Sequence, residues 1–118
     1  MSSQTPKIDG DCRKDTPTAT VAAGEKTHTA VDIAAYRQGM FYLNWDFHGD
    51  TITIEVSSDT DGTFTTLYDD GAATGYTFTA VGNKWNRIPE GAFAAGAIRI
   101  STGTAVSADC VITFCLKS

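Results

Sequence analysis

Hydrophobic and polar residues alternate with a period of two along much of this chain, and such alternation predicts β-strands with one buried face. The clearest predicted strand covers residues 51–56. Ile52, Ile54 and Val56 share one face of it, and threonines and Glu55 occupy the other. This pattern is typical of a strand that covers a hydrophobic core on one side and meets solvent on the other.

The preceding segment, residues 40–47, shows the same alternation. Its odd-numbered residues are predicted to face the core and its even-numbered residues, such as Tyr42, to face outward. The predicted inward side chains are Phe41, Leu43, Trp45 and Phe47. Residues 48–50 read His-Gly-Asp and predict a tight hairpin between the two strands.

Six further segments alternate in a similar way and are separated by turns rich in glycine, aspartate or proline. They cover residues 31–35, 63–68, 74–81, 85–88, 97–101 and 110–116. No stretch has a convincing helical periodicity. About eight strands with a turn roughly every ten residues predict an all-β fold, either an antiparallel sandwich or a barrel.

Residues 1–17 are interpreted as an N-terminal arm outside the core, because they contain Pro6, Gly10 and Pro17 and few apolar side chains. Residues 18–118 then form a single domain, long enough to bury a hydrophobic core. Arg13 and Lys14 are the candidate partner-binding residues, since an arm of this kind can become ordered on a neighbouring subunit. An arm that makes no contact is the alternative.

The charge and hydropathy of the chain exclude several classes of protein. The 118 residues carry a formal net charge of -5, which argues against a nucleic-acid-binding protein. No apolar run approaches the roughly 20 residues of a membrane span, and the first residues do not resemble a secretory signal. Residues 38–83 contain seven carboxylates and no lysine or arginine. They predict either a solvated face or a surface for a basic partner or a cation.

The three cysteines, Cys12, Cys110 and Cys115, are expected to be reduced thiols, because their number is odd and no C-x-x-C spacing occurs. Cys110 and Cys115 are an odd number of residues apart, so they are predicted to face opposite sides of one strand. A disulfide between Cys12 and Cys115 is the alternative. Their spacing relative to His28 and His48 does not predict a zinc site, and the histidines are assigned no role.

The sequence offers no arrangement of catalytic residues and no cofactor motif. The nucleophile turn G-x-S-x-G and the glycine-rich phosphate loops are missing. Glu55 and Glu90 are explained as surface carboxylates more simply than as a glycosidase pair. Residues 59–62 read D-T-D-G, half of a calcium loop, but the third ligand and the distal glutamate are missing, and a turn explains them more simply. We therefore expect a protein that is not an enzyme and binds no cofactor.

Exposed aromatic residues suggest a second kind of site. With Trp45 predicted inside, Tyr36, Tyr42 and Trp85 remain as members of a possible carbohydrate-binding platform. Too few aromatic side chains remain for this to be the preferred hypothesis.

The order of four sequence segments resembles a jelly-roll module of tailed-bacteriophage structural proteins. These segments are VDIAAY at 31–36, ITIEVSSDTDGTFTTLYDDG at 52–71, RIP at 87–89 and AFAAGAIRISTGTA at 92–105. The similarity covers about residues 28–117 and leaves the N-terminal arm unmatched. The sequence departs from the module in the additional Thr60 within the turn and in its three cysteines, so no ligand site is carried over.

The resemblance implies an antiparallel jelly-roll β-sandwich and a place in a phage virion. Proteins of this type include capsid cement or decoration proteins, which stabilise the head by bridging major capsid protein subunits, often as homotrimers. The chain is accordingly expected on the capsid surface after synthesis in the host cytoplasm. A tail or head-fibre module, or a carbohydrate-binding β-sandwich, is the alternative.

Overall fold

The computed structural model of the chain describes residues 14–68, 72 and 74–118. In these residues ten strands form two antiparallel sheets, which confirms the all-β prediction. The strands are β1 (Lys14–Asp15), β2 (Thr18–Val21), β3 (Val31–Asp32), β4 (Gln38–Leu43), β5 (Thr51–Ser57), β6 (Thr65–Thr66), β7 (Thr77–Thr79), β8 (Lys84–Arg87), β9 (Ala97–Thr102) and β10 (Cys110–Lys117). A 3-10 helix spans Trp45–Phe47, and an α-helix, α1, spans Glu90–Ala95.

Sheet 1 is organised around β10, its longest strand. β10 pairs with β4 on one side and with β1 and β2, one after the other, on the opposite side, and β4 pairs in turn with β8. The register places Tyr42 between Thr113 and Trp85. Because side chains alternate along each strand, these three side chains are neighbours on the same face of the sheet.

Sheet 2 is organised around β5 and β9. β9 pairs with β3 and β5, and β5 pairs along its other edge with β7 and then β6. This register places Glu55 directly opposite Arg99. Cross-strand neighbours of opposite charge stabilise an antiparallel pair, so this part of the sheet has a defined register.

The inward faces of both sheets contribute to one hydrophobic core. The predicted alternation is confirmed in β5 and β10, where Ile52, Ile54, Ile112 and Phe114 are buried. Other large buried side chains are Phe41, Phe47, Ile33, Leu43, Ile98, Ile100 and Leu116. Burial of each such side chain contributes about 1.5–3 kcal/mol to stability, and the core therefore holds the two sheets together.

The connection between β4 and β5 differs from the sequence prediction. β4 belongs to sheet 1 and β5 to sheet 2, so the hairpin predicted at residues 48–50 is wrong. The side chain of Asn44 accepts a hydrogen bond from the N–H of Asp46 at 3.0 Å and caps the 3-10 helix that follows β4. This turn interrupts the period of two. Trp45 is 61% exposed, and its predicted core position is wrong, whereas Phe47 is buried as predicted.

Helix α1 was not predicted, because six residues are too few to show a periodic apolar stripe. Pro89 precedes the helix, and Gly96 ends it with a left-handed φ of 113°. The N–H of Gly96 donates to the carbonyl oxygen of Ala92 at 3.1 Å, which satisfies one of the free helix carbonyls. The alanine-rich composition and these flanking residues are the signals that sequence reasoning missed.

Part of the predicted N-terminal arm lies within sheet 1. Lys14 and Asp15 form β1 and pair with the last residues of β10. The hydroxyl of Tyr36 donates a hydrogen bond to the carboxylate of Asp15. Arg13 and Cys12 lie outside the described residues.

Candidate interaction surface

The outer face of sheet 1 carries a group of apolar side chains, here called the outer strip: Met40, Tyr42, Trp85 and Val111. Alternation along β4, β8 and β10 points all four away from the core. The ring centroids of Tyr42 and Trp85, which are cross-strand partners, lie 5.3 Å apart, and Trp85 is 48% exposed. Large apolar side chains grouped on an exposed sheet face are typical of surfaces that contact another protein or a ligand.

A cleft with a cavity volume of about 510 Å³ lies at one end of sheet 1, where β4 begins and β10 ends. Its lining residues are Arg37, Gln38, Gly39, Met40, Arg87, Ile88, Glu90, Phe93, Cys115 and Lys117. Three of these side chains are cations and several others are apolar. We call this site the basic cleft.

Strand pairing brings together cations that are far apart in the sequence. Arg37 directly precedes β4 and donates its backbone N–H to the carbonyl oxygen of Lys117 at 2.9 Å. Arg87 lies opposite Met40 in the β4–β8 ladder. Lys14, a predicted partner-binding residue, lies opposite Lys117 on the other side of β10 and adds a positive charge beside the cleft.

The basic cleft has an excess of positive charge on a chain whose net charge is -5. Glu90 is the one carboxylate among the described residues that line it. Arg37, Arg87 and Lys117 form no ion pair with another described residue. Guanidinium groups bind carboxylates through paired hydrogen bonds, and Met40 and Phe93 offer apolar contact area nearby, so the cleft suits an acidic and partly apolar partner.

Trp45 lies at the opposite end of β4 from the basic cleft and has a fixed orientation. Its indole stacks on the imidazole of His48, with ring centroids 3.9 Å apart and ring planes 10° apart. Nδ1 of His48 accepts a hydrogen bond from the N–H of Gly82 at 3.1 Å. A Cβ atom on Gly82 would lie 2.7 Å from Cε3 of Trp45, so glycine is needed there. The indole is therefore held in place although the residue is largely exposed.

Three carboxylates surround a second cavity near Trp45. Asp46, Asp50 and Asp109 line this cavity of about 350 Å³ together with Cys110. Burial raises the pKa of the Cys110 thiol, and the three carboxylates raise it further. In the part of the chain that the structure describes, no group of three or more histidine, cysteine, aspartate or glutamate residues is arranged to hold a metal ion.

The other carboxylates of the acidic segment 38–83 lie in separate places. Glu55 forms an ion pair with Arg99 in sheet 2, with Nε 2.6 Å from Oε1. The Asp59 carboxylate accepts a hydrogen bond from the N–H of Asp61 at 2.9 Å, which is the turn geometry expected of an aspartate before glycine. Residues 69–71 lie outside the described part of the chain. The described carboxylates of the segment are therefore distributed over the cavity lining, sheet 2 and a turn.

The predicted aromatic platform forms only in part. Tyr42 and Trp85 are neighbours on the outer strip, as the register requires. Tyr36 is half-buried and donates its hydroxyl to Asp15. Trp45, which the alternation placed in the core, is the more exposed of the two tryptophans.

Buried His28 is a residue to which no role was assigned from the sequence. It is 5% exposed and lies edge-on to Phe114, with ring centroids 5.8 Å apart. Nε2 accepts a hydrogen bond from the N–H of Ile100 at 2.9 Å, and Nδ1 donates one to the carbonyl oxygen of Thr29 at 2.7 Å. Burial lowers the pKa of His28, so the ring is neutral at pH 7 and acts as a structural bridge.

Comparison with protein-family models, with curated proteins and with solved structures finds no match for this chain. The helices in the described residues are all too short or too polar to cross a membrane. The candidate site therefore rests on the geometry of the outer strip, the basic cleft and Trp45.

Proposed function

We propose that this chain is a non-enzymatic structural protein of a tailed-bacteriophage virion, and specifically a capsid cement or decoration protein. In this role it is made in the host cytoplasm, assembles as a homotrimer and binds the major capsid protein on the outer surface of the head. Its contribution is contact area between neighbouring capsid subunits, with no chemical step.

The order of the strands is the observation that carries the proposal. β1 and β2 follow one another along β10, and β7 and β6 follow one another along β5, so each sheet has four strand positions. The orders are β2-β10-β4-β8 and β3-β9-β5-β7, and the chain changes sheet at most of its connections. This arrangement is typical of the eight-stranded jelly roll, a fold used by viral capsid and lectin domains.

The outer strip and the basic cleft support a role in protein contacts. Together they offer exposed apolar area on sheet 1 and, at its end, cations that form no ion pair with another described residue. A protein that binds the assembled shell more tightly than its separated subunits stabilises that shell by mass action, and this effect requires no enzymatic site. The sequence resemblance to phage structural modules supports the same assignment.

The first test is quantitative mass spectrometry of purified virions of the source phage. A copy number comparable to that of the major capsid protein is expected for a decoration protein. A copy number that matches only the few subunits of a single ring, as at one vertex of the head, would instead assign the protein to the tail or to a fibre. Complete absence of the chain from virions would overturn the proposal.

A carbohydrate-binding module is the second candidate, favoured by the exposed Tyr42–Trp85 pair on the outer strip. Aromatic side chains of this kind bind the apolar faces of sugars. A glycan array with the wild-type chain and a Trp85→Ala variant tests this alternative. Binding that depends on Trp85 would support it, and no binding to any glycan would exclude it for the sugars on the array.

A further inference from the structure

Trp45 has the properties of an anchor residue for a protein interface. It is 61% exposed, yet its stacking on His48 and its close approach to Gly82 fix the direction of the indole. A rigid exposed tryptophan loses little conformational entropy on binding and buries a large area, so tryptophan is enriched among residues that dominate interface energies. Trp45 is not among the residues that form the described hydrophobic core.

The basic cleft has the properties of a receptor for such an anchor. Its cavity of about 510 Å³ combines Met40 and Phe93 with the cations Arg37 and Arg87. Thioether and aromatic groups pack favourably against an indole, and a guanidinium group is attracted to its face. The cleft is therefore suited to an aromatic side chain flanked by negative charge.

The two features lie at opposite ends of sheet 1. β10 begins at Cys110 and finishes at Lys117 in the basic cleft. Cys110 lies beside Asp46, Asp50 and Asp109, which together with Trp45 form what we call the Trp45 end. Eight residues of strand span about 23 Å, which is too far for the two sites to meet within one chain. Contact between them requires two copies.

We propose that the Trp45 end of one copy docks into the basic cleft of a second copy of this chain. The indole packs against Met40 and Phe93, and Asp46 faces Arg37 and Arg87. The contact is heterologous, because each copy contributes a different surface, and it closes into a ring or continues as a chain according to its angle. Closure into a ring produces the homotrimer of the proposed function, but the contact itself does not depend on a virion role.

Charge complementarity identifies a second copy as the occupant. The Trp45 end carries Asp46, Asp50 and Asp109, and the cleft at the opposite end is lined by Arg37, Arg87 and Lys117, with Glu90 as the one carboxylate among its described lining residues. Opposite charges at the two ends of one chain orient copies head to tail and disfavour contacts between identical ends.

Mixing two variants tests this geometry directly. Trp45→Ala retains an intact cleft, and the double variant Arg37→Glu/Arg87→Glu retains an intact Trp45 end. In sedimentation velocity at low salt, the wild type is expected to associate. Each variant alone is expected to have a dissociation constant about 30-fold higher, or to remain monomeric. An equimolar mixture is expected to form a dimer and nothing larger, since only one working interface remains.

Matched controls separate the contact from general effects on folding and charge. Tyr68→Ala removes another exposed aromatic ring, and Lys26→Glu reverses a cation that neither lines the cleft nor belongs to a strand of sheet 1. Both controls are expected to associate as the wild type does. Circular dichroism and thermal melts establish that every variant is folded.

A single-tryptophan variant provides a direct measurement of burial. In Trp85→Phe, the emission of Trp45 is expected to shift to shorter wavelength, and its quenching by acrylamide to fall, as protein concentration rises through the association range. High salt is expected to reverse both changes, because it screens the flanking charges.

Three results would overturn the proposal: a wild type that stays monomeric at the highest soluble concentration, association that survives in both variants, or a mixture that forms no dimer. None of these results bears on the copy number in virions. Failure of this inference is therefore distinguishable from failure of the proposed function.

Discussion

The backbone N–H of Ile100 donates a hydrogen bond to Nε2 of buried His28 at 2.9 Å. Nδ1 of the same ring donates to the carbonyl oxygen of Thr29, so both nitrogens are used and the ring is neutral. This imidazole connects the loop before β3 to the middle of β9. A proton on Nε2 would remove the acceptor and place a charge inside the core.

We expect the free energy of unfolding to decrease as the pH falls below about 6.5, because His28 has a lowered pKa in the folded chain and an ordinary one in the unfolded chain. Between these two pKa values the unfolded chain binds the additional proton. At higher pH His28 is neutral in both the folded and the unfolded chain, so its contribution to the free energy of unfolding is constant. Urea denaturation at a series of pH values measures the effect.

His28→Gln is expected to reduce this pH dependence and to lower stability at pH 7.5 by about 1–3 kcal/mol, because buried hydrogen bonds are lost. An unchanged pH dependence in His28→Gln would show that other groups are responsible.

The ion pair between Glu55 and Arg99 stabilises the centre of sheet 2. Nε of Arg99 lies 2.6 Å from Oε1 of Glu55, and the guanidinium carbon lies 4.7 Å from the ring centroid of Phe64. Both charged side chains are partly exposed, so we expect a coupling energy of about 0.5–1 kcal/mol. A double-mutant cycle with Glu55→Gln and Arg99→Gln measures it, and a coupling near zero would contradict the prediction.

The strands that cover the core could be predicted from the sequence because their alternation is local. Ile52 and Ile54, like Ile112 and Phe114, follow a period of two without interruption. The position of Trp45 could not be predicted in this way, since the cap formed by Asn44 ends β4 and starts a 3-10 helix. An asparagine that bonds to a nearby backbone N–H was the local signal against a longer strand.

The basic cleft could not be predicted because it depends on the register between distant strands. Arg37, Arg87 and Lys117 belong to separate parts of the chain and meet only through the pairing of β4 with β8 and β10. A single sequence does not specify which strands pair. Lys14 was predicted as a partner-binding residue of the arm. It lies beside these cations because β1 pairs with β10 and places Lys14 opposite Lys117.

Gly82 is expected to be essential for the orientation of Trp45. In Gly82→Ala the new Cβ would lie 2.7 Å from Cε3 and 2.8 Å from Cα of Trp45, and the backbone atom cannot move aside easily. We expect a loss of about 1–3 kcal/mol in stability and a changed emission spectrum of Trp45 in a Trp85→Phe background.

Gly91→Ala is the matched control for this substitution. Its Cβ would lie 3.3 Å from the end of the flexible Leu67 side chain, and alanine favours the helix α1. Stability is therefore expected to stay equal or to rise slightly. A tolerated Gly82→Ala with unchanged Trp45 emission would contradict the described contact between these two residues.

The two cysteines of β10 are expected to differ in their reaction with thiol reagents. Cys115 is half-buried on the outer face and lines the basic cleft, whereas Cys110 is 6% exposed and burial raises its pKa. In a Cys12→Ser background at pH 8, Cys115 should react about 100-fold faster than Cys110, because the thiolate is the reactive form and must be accessible. Peptide mapping after timed labelling measures both rates.

Two further measurements make this prediction specific to the cleft. Cys115→Ser should leave almost no fast-reacting thiol, and denaturant should make Cys110 react as fast as a free thiol. A bulky maleimide on Cys115 should also weaken the association of copies, because it occupies the cleft that we assign to Trp45. Equal labelling of the two cysteines in the folded chain would contradict the alternation described for β10, since that alternation places Cys110 in the core and Cys115 on the outer face.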